Sequence, residues 1–200
     1  MRKAYYQEQQ LENIARQDIV AYDPKLYYGE IQAIPIESII EACGLALEYQ
    51  FLRKDGRILG ETIFRDGLAA VYDRDAHSYT LIAVQAGTIL IDASLCEDER
   101  KNGRLRFTCA HEFAHWRLHK SQYEENGGCA AMLSSTQDDA NEFQADLLAS
   151  ILLMPMRQVK RCFYQLRCGR SSEQIVSDMA SIFQVSKQAM RIRLQHHQLI

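Results

Sequence analysis

The amino-acid sequence predicts an α+β fold, in which a small, mainly antiparallel sheet packs on one long apolar helix and on further helices, with a helical segment at the C-terminal end. Apolar residues repeat at helical spacing near the start of the chain. Five short apolar segments separated by turn residues follow, and helical spacing returns after residue 98. Of the 200 residues, 47% are hydrophobic and 24% charged, which is ordinary for a globular domain with its own core.

The first part of the chain predicts two helices. An opening helix is expected over residues 3–20, and Asp23-Pro24 breaks the helical pattern after it. Pro35 suits the first position of a second, short helix, which is expected to end near Gly44. The apolar face of the opening helix consists of Leu11, Ile14, Ala15 and Ile19.

The spacing of apolar residues then changes to one that is typical of strands. The segments are short, and the residues between them are Asp-Gly, Asp-Arg-Asp or Ala-Gly, which favour turns. We therefore predict strands near residues 45–52, 58–64, 69–72, 79–84 and 88–91.

The second half of the chain predicts mainly helices. One helix is expected over residues 104–119 and another over residues 137–153, with a loop that contains Gly127-Gly128 between them. A basic helical segment follows. We accordingly divide the chain into a main domain, residues 1–155, and a C-terminal helical subdomain, residues 156–200.

Charge is distributed unevenly between these two parts. Residues 156–200 carry eight Lys or Arg against two Asp or Glu, a net charge of +6. Residues 1–155 carry 15 against 24, a net charge of −9. An acidic body with a basic C-terminal segment needs an explanation in terms of the fold or of a partner.

The basic segment resembles two helices around a turn at residues 172–194, and Ser186 can cap the second helix. The apolar residues expected to pack inward are Ile175, Val176, Met179, Ile182, Ala189, Met190 and Leu194. This outline fits a DNA-binding helix-turn-helix, a scaffold that docks a protein partner, or a scaffold with a solvated basic face. The side chains available to DNA are Lys187, Gln188, Arg191 and Arg193. We favour docking over direct DNA binding, because one short basic unit on an acidic body is repelled by the duplex.

No targeting or membrane segment is expected. The first residues lack the apolar run of a signal peptide, and no stretch approaches the eighteen or so apolar residues of a membrane span. The cysteines are scattered without CxxC spacing, so we expect reduced thiols and a cytoplasmic protein. The six cysteines are Cys43, Cys96, Cys109, Cys129, Cys162 and Cys168.

The strongest chemical signal is the sequence His-Glu-Phe-Ala-His at residues 111–115. On a helix, His111 and His115 lie on one face, one turn apart, where both imidazoles can bind one cation. Glu112 lies about 100° around the helix axis. There its carboxylate can accept a proton from water activated by a zinc ion, which lowers the pKa of that water to about 7.

The next helix offers a third ligand. Zinc peptidases with two histidines often take a glutamate from a following helix, and Glu142 is in that position. Asp146 lies one turn later on the same face and can bond the other ring nitrogen of a ligating histidine. A solvated acidic helix start is the competing interpretation of Glu142, and it is our interpretation of Asp138 and Asp139.

His119 has two interpretations. It follows His111 by eight residues and is turned about 80° from it around the helix axis. It can lie at the edge of the site as an oxyanion donor, or it can cap the C-terminal end of the helix.

Two motifs resemble those of a known family, the ImmA/IrrE metallopeptidases. Residues 106–119, RFTCAHEFAHWRLH, resemble the active-site helix of that family. Residues 142–146, EFQAD, followed by LLMP at residues 152–155, resemble its second signature. The resemblance covers roughly residues 36–195, is strong at the two motifs and is loose in the N-terminal half.

The resemblance implies a gluzincin-like zinc endopeptidase, with zinc on His111, His115 and Glu142 and catalysis through Glu112. Its usual role in this family is to cleave or inactivate a helix-turn-helix repressor, in mobile elements or in stress responses. The expectation is therefore a zinc-dependent endopeptidase of the bacterial cytoplasm with such a repressor as substrate. Two alternatives stay open: a non-catalytic, zinc-containing anti-repressor that binds the repressor, and a DNA-binding regulator. An intact Glu112 favours the enzyme, since a structural zinc needs no base.

Overall fold

The computed structural model describes residues 5–125 and 135–200, with side chains for 5–123 and 139–200. It begins with three helices: α1 (Glu8–Tyr22), α2 (Pro24–Tyr28) and α3 (Ile36–Ala42). The start of α1 differs from the predicted residue 3, because the backbone N–H of Gln7 donates to the side chain of Gln10 and fixes the first turn there. The helix after Pro35 is confirmed.

Helix α2 is a difference from the sequence-based expectation. Asp23-Pro24 does end α1, but it also starts a new helix. The carboxylate of Asp23 accepts a hydrogen bond of 2.9 Å from the backbone N–H of Lys25, and Pro24 occupies the first helical position. A pair of residues that breaks one helix thus caps the next.

Five strands form two small sheets. Their bounds are β1 (Ala46–Gln50), β2 (Gly60–Thr62), β3 (Gly67–Asp73), β4 (Ser78–Val84) and β5 (Thr88–Asp92). The first sheet has the order β1-β5-β2, with β5 parallel to β1 and antiparallel to β2, and the second is the antiparallel pair β3-β4. All five strands were predicted and the pairing is mostly antiparallel, but the sequence did not show that the strands divide between two sheets.

Two long helices pack beside the first sheet. They are α4 (Asn102–Glu125) and α5 (Ser135–Leu153), and each continues beyond at least one predicted end. Their apolar faces are fully or nearly fully buried, with α4 packed against α5, β2 and β5, and α5 packed against α4 and α1. The buried residues on these faces include Cys109, Ala110, Phe113, Ala114, Ala145, Leu148, Ala149 and Leu152. This tight packing fixes α4 relative to α5, and it is α4 and α5 that carry the two motifs.

Three helices complete the chain: α6 (Met156–Leu166), α7 (Ser172–Phe183) and α8 (Lys187–His196). Ser186 caps α8 as predicted, its hydroxyl accepting a hydrogen bond of 3.1 Å from the N–H of Ala189. Ile182 is more than a third exposed, and Phe183 is buried in its place. Buried residues of α6, α7 and α8 join the same hydrophobic core as those of α1, α4 and α5. The proposed boundary at residue 155 stays a prediction.

Arg193 of α8 lies inside this core. Its side chain is only 2% exposed and contacts the carboxylates of Glu8, at 3.2 Å, and Glu12, while its Nε donates to the carbonyl of Met154. The side chain considered for DNA contact therefore connects α8 to α1 and to the end of α5. Burial raises the pKa of Glu12, and the guanidinium of Arg193 opposes that rise.

We expect Arg193→Met to destabilise the protein by about 3 kcal/mol, because it leaves a buried carboxylate without its cation. The loss should be larger at neutral pH than below pH 4.5, since a protonated Glu12 costs less to bury. Urea unfolding at both pH values measures it. Arg191→Met is the matched control, because Arg191 pairs with Glu173 on the surface. Equal midpoints for the two variants would contradict the role of Arg193.

Two further expectations concern free thiols and membrane-spanning helices. Cys43, Cys96, Cys109, Cys162 and Cys168 are free thiols. Cys129 and the expected loop with Gly127-Gly128 lie outside the described residues. No helix in the described ranges is long and apolar enough to cross a membrane.

Candidate metal and catalytic site

Helices α4 and α5 bring three candidate ligands together. The Nε2 atoms of His111 and His115 lie 3.0 Å apart, because the two residues are one turn apart on α4. Glu142 of α5 contacts both histidines: its Oε2 lies 3.2 Å from His111 Nε2, and its Oε1 lies 3.2 Å from His115 Nε2. All three donor atoms lie within 4.8 Å of one another.

Asp146 fixes the tautomer of His111. One of its carboxylate oxygens lies 2.9 Å from His111 Nδ1. A carboxylate only accepts hydrogen bonds, so Nδ1 carries a proton, and Nε2 is the nitrogen that can bind a metal when the ring loses its other proton. This is the arrangement in which a second residue orients a metal-binding histidine.

The charges of this group fit a cation. The two Nε2 atoms lie 3.0 Å apart and each lies 3.2 Å from the Glu142 carboxylate, so a proton or a metal cation between these atoms is favourable. Burial lowers the pKa of His111, but the hydrogen bonds to Asp146 and Glu142 outweigh burial and raise that pKa to about 10. The same imidazoles hold the pKa of Glu142 far below its usual value. The site thus attracts a proton when no metal is bound, and its two nitrogens and one carboxylate are a donor set that suits a divalent metal.

Glu112 lies beside this group and is held from the other side by β2. The hydroxyl of Thr62 lies 2.7 Å from Glu112 Oε2 and 2.9 Å from the backbone carbonyl of Glu112. Glu112 is only 8% exposed. Burial raises the pKa of its carboxyl, against the lowering effects of His115 and Thr62, so burial makes this carboxylate a stronger proton acceptor.

Gly60 allows β2 to approach Glu112 closely. A Cβ atom at Gly60 would lie 2.5 Å from Glu112 Oε1 and 2.6 Å from its Cγ, which no real side chain tolerates. Gly60 and Thr62 lie on the same face of the strand, with Glu61 on the other. The sequence analysis missed both contacts. A glycine within a strand is a signal of close approach, but it does not name the approaching residue.

His119 does not join the group. It is 1% exposed, its ring centroid lies 5.4 Å from that of His115, and its Nε2 donates to the backbone carbonyl of Asn141 at 3.3 Å. Burial lowers the pKa of His119 to about 4, so the ring is neutral. It does not line the cleft described below, and its role as an oxyanion donor stays a prediction. The side chain of Asp138, which was assigned to the helix start, lies outside the described side chains.

An open cleft of about 980 Å³ runs past the site. Residues 57–68 form one wall, and α4 with α5 forms the other, which includes His111, Glu112 and Glu142. At one end Phe64 stacks on Tyr123, with ring centroids 4.2 Å apart. Trp116 lies parallel to Phe64 at 5.8 Å. The cleft therefore exposes the candidate ligands and Glu112 to molecules from the solvent.

Comparison with known proteins places this site in a family. Curated proteins give no significant match. Among solved structures, a transcriptional regulator of Mycobacterium tuberculosis is similar in fold, with a TM-score of 0.53 and 16% identity over 92% of this chain. This chain spans 55% of the length of that regulator. The model of the Peptidase_M78 family, the IrrE N-terminal-like domain, matches residues 62–195, a range that contains both motifs and Thr62. The chain therefore belongs to the Peptidase_M78 family.

Proposed function

We propose that the protein is a zinc-dependent endopeptidase that cleaves a helix-turn-helix transcriptional repressor. The observation that carries the proposal is the convergence of His111, His115 and Glu142 beside the buried carboxylate of Glu112. The family supports a metallopeptidase. A repressor acts on cytoplasmic DNA, so this substrate also implies activity in the bacterial cytoplasm.

Zinc is the proposed metal. Two imidazole nitrogens and one carboxylate oxygen, with a fourth position left open, are a common donor set of catalytic zinc. Ligand atoms about 2.0–2.1 Å from zinc at tetrahedral angles lie about 3.3 Å from one another. The two Nε2 atoms are 3.0 Å apart, and each lies 3.2 Å from a different carboxylate oxygen of Glu142, distances that are close to that value.

The chain's own residues supply the proton transfers. Zinc, when bound, would polarise the peptide carbonyl and lower the pKa of water. Glu112 accepts the proton of the attacking water and then donates it to the leaving amine. Thr62 bonds Glu112 Oε2 and fixes the carboxylate, which leaves Oε1, next to Gly60, to carry the proton. An extended substrate can add to β2, the edge strand of its sheet.

Two observations favour this proposal over the alternatives. A non-catalytic anti-repressor has no use for Glu112, whose burial in ionised form costs free energy. A DNA-binding role for α8 is disfavoured because Arg193 is buried and Arg191 forms a two-point ion pair with Glu173.

The direct test uses purified helix-turn-helix repressors as candidate substrates, beginning with any that a gene adjacent to this one encodes. The zinc-loaded protein is expected to cut it at one or a few bonds, which mass spectrometry of the fragments identifies. Removal of the metal with a chelator should abolish cleavage, and added zinc should restore it. Stoichiometric binding without cleavage would support the anti-repressor instead. Tight, sequence-specific binding of this protein to operator DNA, lost in Arg191→Ala, would support the DNA-binding regulator.

A substitution in β2 tests whether the close approach of this strand positions Glu112. We expect Gly60→Ala to lower the rate of repressor cleavage about 10²-fold, because the new Cβ displaces Glu112 by a distance on the order of 1 Å. Zinc content should not change, since the candidate ligands lie on α4 and α5. Gly67→Ala is the matched control, because a Cβ at Gly67 meets nothing within 4 Å. Equal rates for the two variants would show that β2 does not position Glu112.

A further inference from the structure

A second cavity lies beside the catalytic cleft. It is a groove of about 790 Å³ between α5 and α8. Each wall presents a row of residues spaced i, i+4, i+7 and i+11, most of which lie on one face of a helix. The first row is Phe143, Leu147 and Ser150 of α5 with Met154 just after that helix, and the second is Ala189, Ile192 and His196 of α8 with Val185 just before it.

The groove exposes large apolar side chains. Phe143 is 56% exposed and Ile192 is 58% exposed, although they lie on opposite walls of one groove. Leu147, Val185 and Ala189 are partly exposed around them. A contiguous apolar surface of this kind marks a binding site more often than isolated exposed residues do.

The groove is continuous with the catalytic cleft. Arg104, Phe107 and Asp146 line both cavities. The ring centroid of Phe107 lies 6.3 Å from that of His111, and Phe143 follows Glu142 directly in the chain. A polypeptide that occupies the groove can therefore continue into the cleft and cross the metal-binding group.

The charge where the groove meets the cleft indicates which charged side chains the occupant carries. Arg104 is exposed where the groove meets the cleft, and within the described part of the chain it forms no ion pair. Asp146 also lines the junction, but its carboxylate is paired with His111. The charge of Arg104 therefore complements an acidic side chain at the edge of an apolar partner surface.

We propose that the groove docks an amphipathic helix of the protein substrate, next to the segment that is cut. The inference rests on the proposed endopeptidase function. Two helical walls with matching rows accept a third helix, whose apolar residues at i, i+3, i+4 and i+7 insert between Phe143 and Ile192. Acidic residues flank that apolar stripe and face Arg104. The groove thus selects a folded, helical substrate, and the cleft receives the extended segment that follows.

The test measures binding separately from cleavage. The probe is a purified helix-turn-helix repressor from the cleavage test above, titrated into zinc-loaded Glu112→Gln protein. Adding Ile192→Asp is expected to raise the dissociation constant at least about tenfold, because the substitution places a charge among apolar contacts. Leu81→Asp is the matched control, since Leu81 is 66% exposed on β4 and does not line the groove. Circular dichroism and zinc content verify the fold of each variant.

The outcomes separate the two proposals. Hydrogen exchange should show protection of one amphipathic helix of the repressor in the complex, lost with Ile192→Asp. If the wild-type protein cuts the repressor but Ile192→Asp leaves its affinity unchanged, the docking inference is wrong and the endopeptidase proposal stands. If affinity depends on Ile192 but the wild type does not cut, docking stands and the endopeptidase proposal fails. If Ile192→Asp instead converts a dimer of this chain to a monomer without changing repressor affinity, the groove joins two copies and the inference is wrong.

Discussion

Glu112→Gln protein is expected to retain its zinc and its fold but to cleave the repressor about 10²–10⁴-fold more slowly, the range that general acid–base groups contribute. The amide has nearly the shape of the carboxylate, so the hydrogen bond from Thr62 can be kept. It cannot accept the proton of the attacking water at neutral pH. Single-turnover cleavage at saturating protein, followed by gel or mass spectrometry, measures the chemical step.

The control for this substitution is Glu48→Gln. It makes the same chemical change at an exposed residue of β1, which does not line the cleft. We expect its cleavage rate to stay close to that of the wild type. Near-normal turnover in Glu112→Gln would show that another group accepts the proton, and a parallel loss of zinc would show that Glu112 acts on the metal site instead.

The features that the sequence predicted well depend on local geometry. Helical spacing alone places His111 and His115 one turn apart, and it places Asp146 one turn beyond Glu142. The alternation of apolar residues with turn residues likewise located all five strands. In each case the deciding residues are close in the sequence, and the backbone conformation determines how they lie.

The features that the sequence did not predict depend on distant contacts. Thr62 and Glu112 are 50 residues apart, and Glu8 and Arg193 are 185 residues apart. A helical pattern shows that Arg193 lies on a helix. It does not show that two carboxylates of α1 face it, so its charge was considered for DNA contact. The second groove was missed for the same reason, because its walls come from two helices that are far apart in the chain.

The second large effect is expected from substitution of the candidate zinc ligands. His111→Ala, His115→Ala and Glu142→Ala are each expected to lose most of the bound zinc, because a site with three protein ligands has none to spare. The other described group with three donors consists of Glu8, His196 and His197. Arg193 lies 3.2 Å from a carboxylate oxygen of Glu8, and its charge opposes a cation there, so little residual zinc is expected. Zinc content after gel filtration, with a competing chelator, measures the loss.

Asp146→Ala provides the graded comparison for these three variants. It removes the hydrogen bond to His111 Nδ1 but no candidate ligand, so zinc affinity is expected to fall only about 10–100-fold. Chelator competition should therefore order the proteins as wild type, Asp146→Ala and then the three ligand variants. Full zinc stoichiometry and affinity in Glu142→Ala would exclude Glu142 as the third ligand. An unchanged affinity in Asp146→Ala would mean that the packing of α4 against α5 orients His111 without the hydrogen bond.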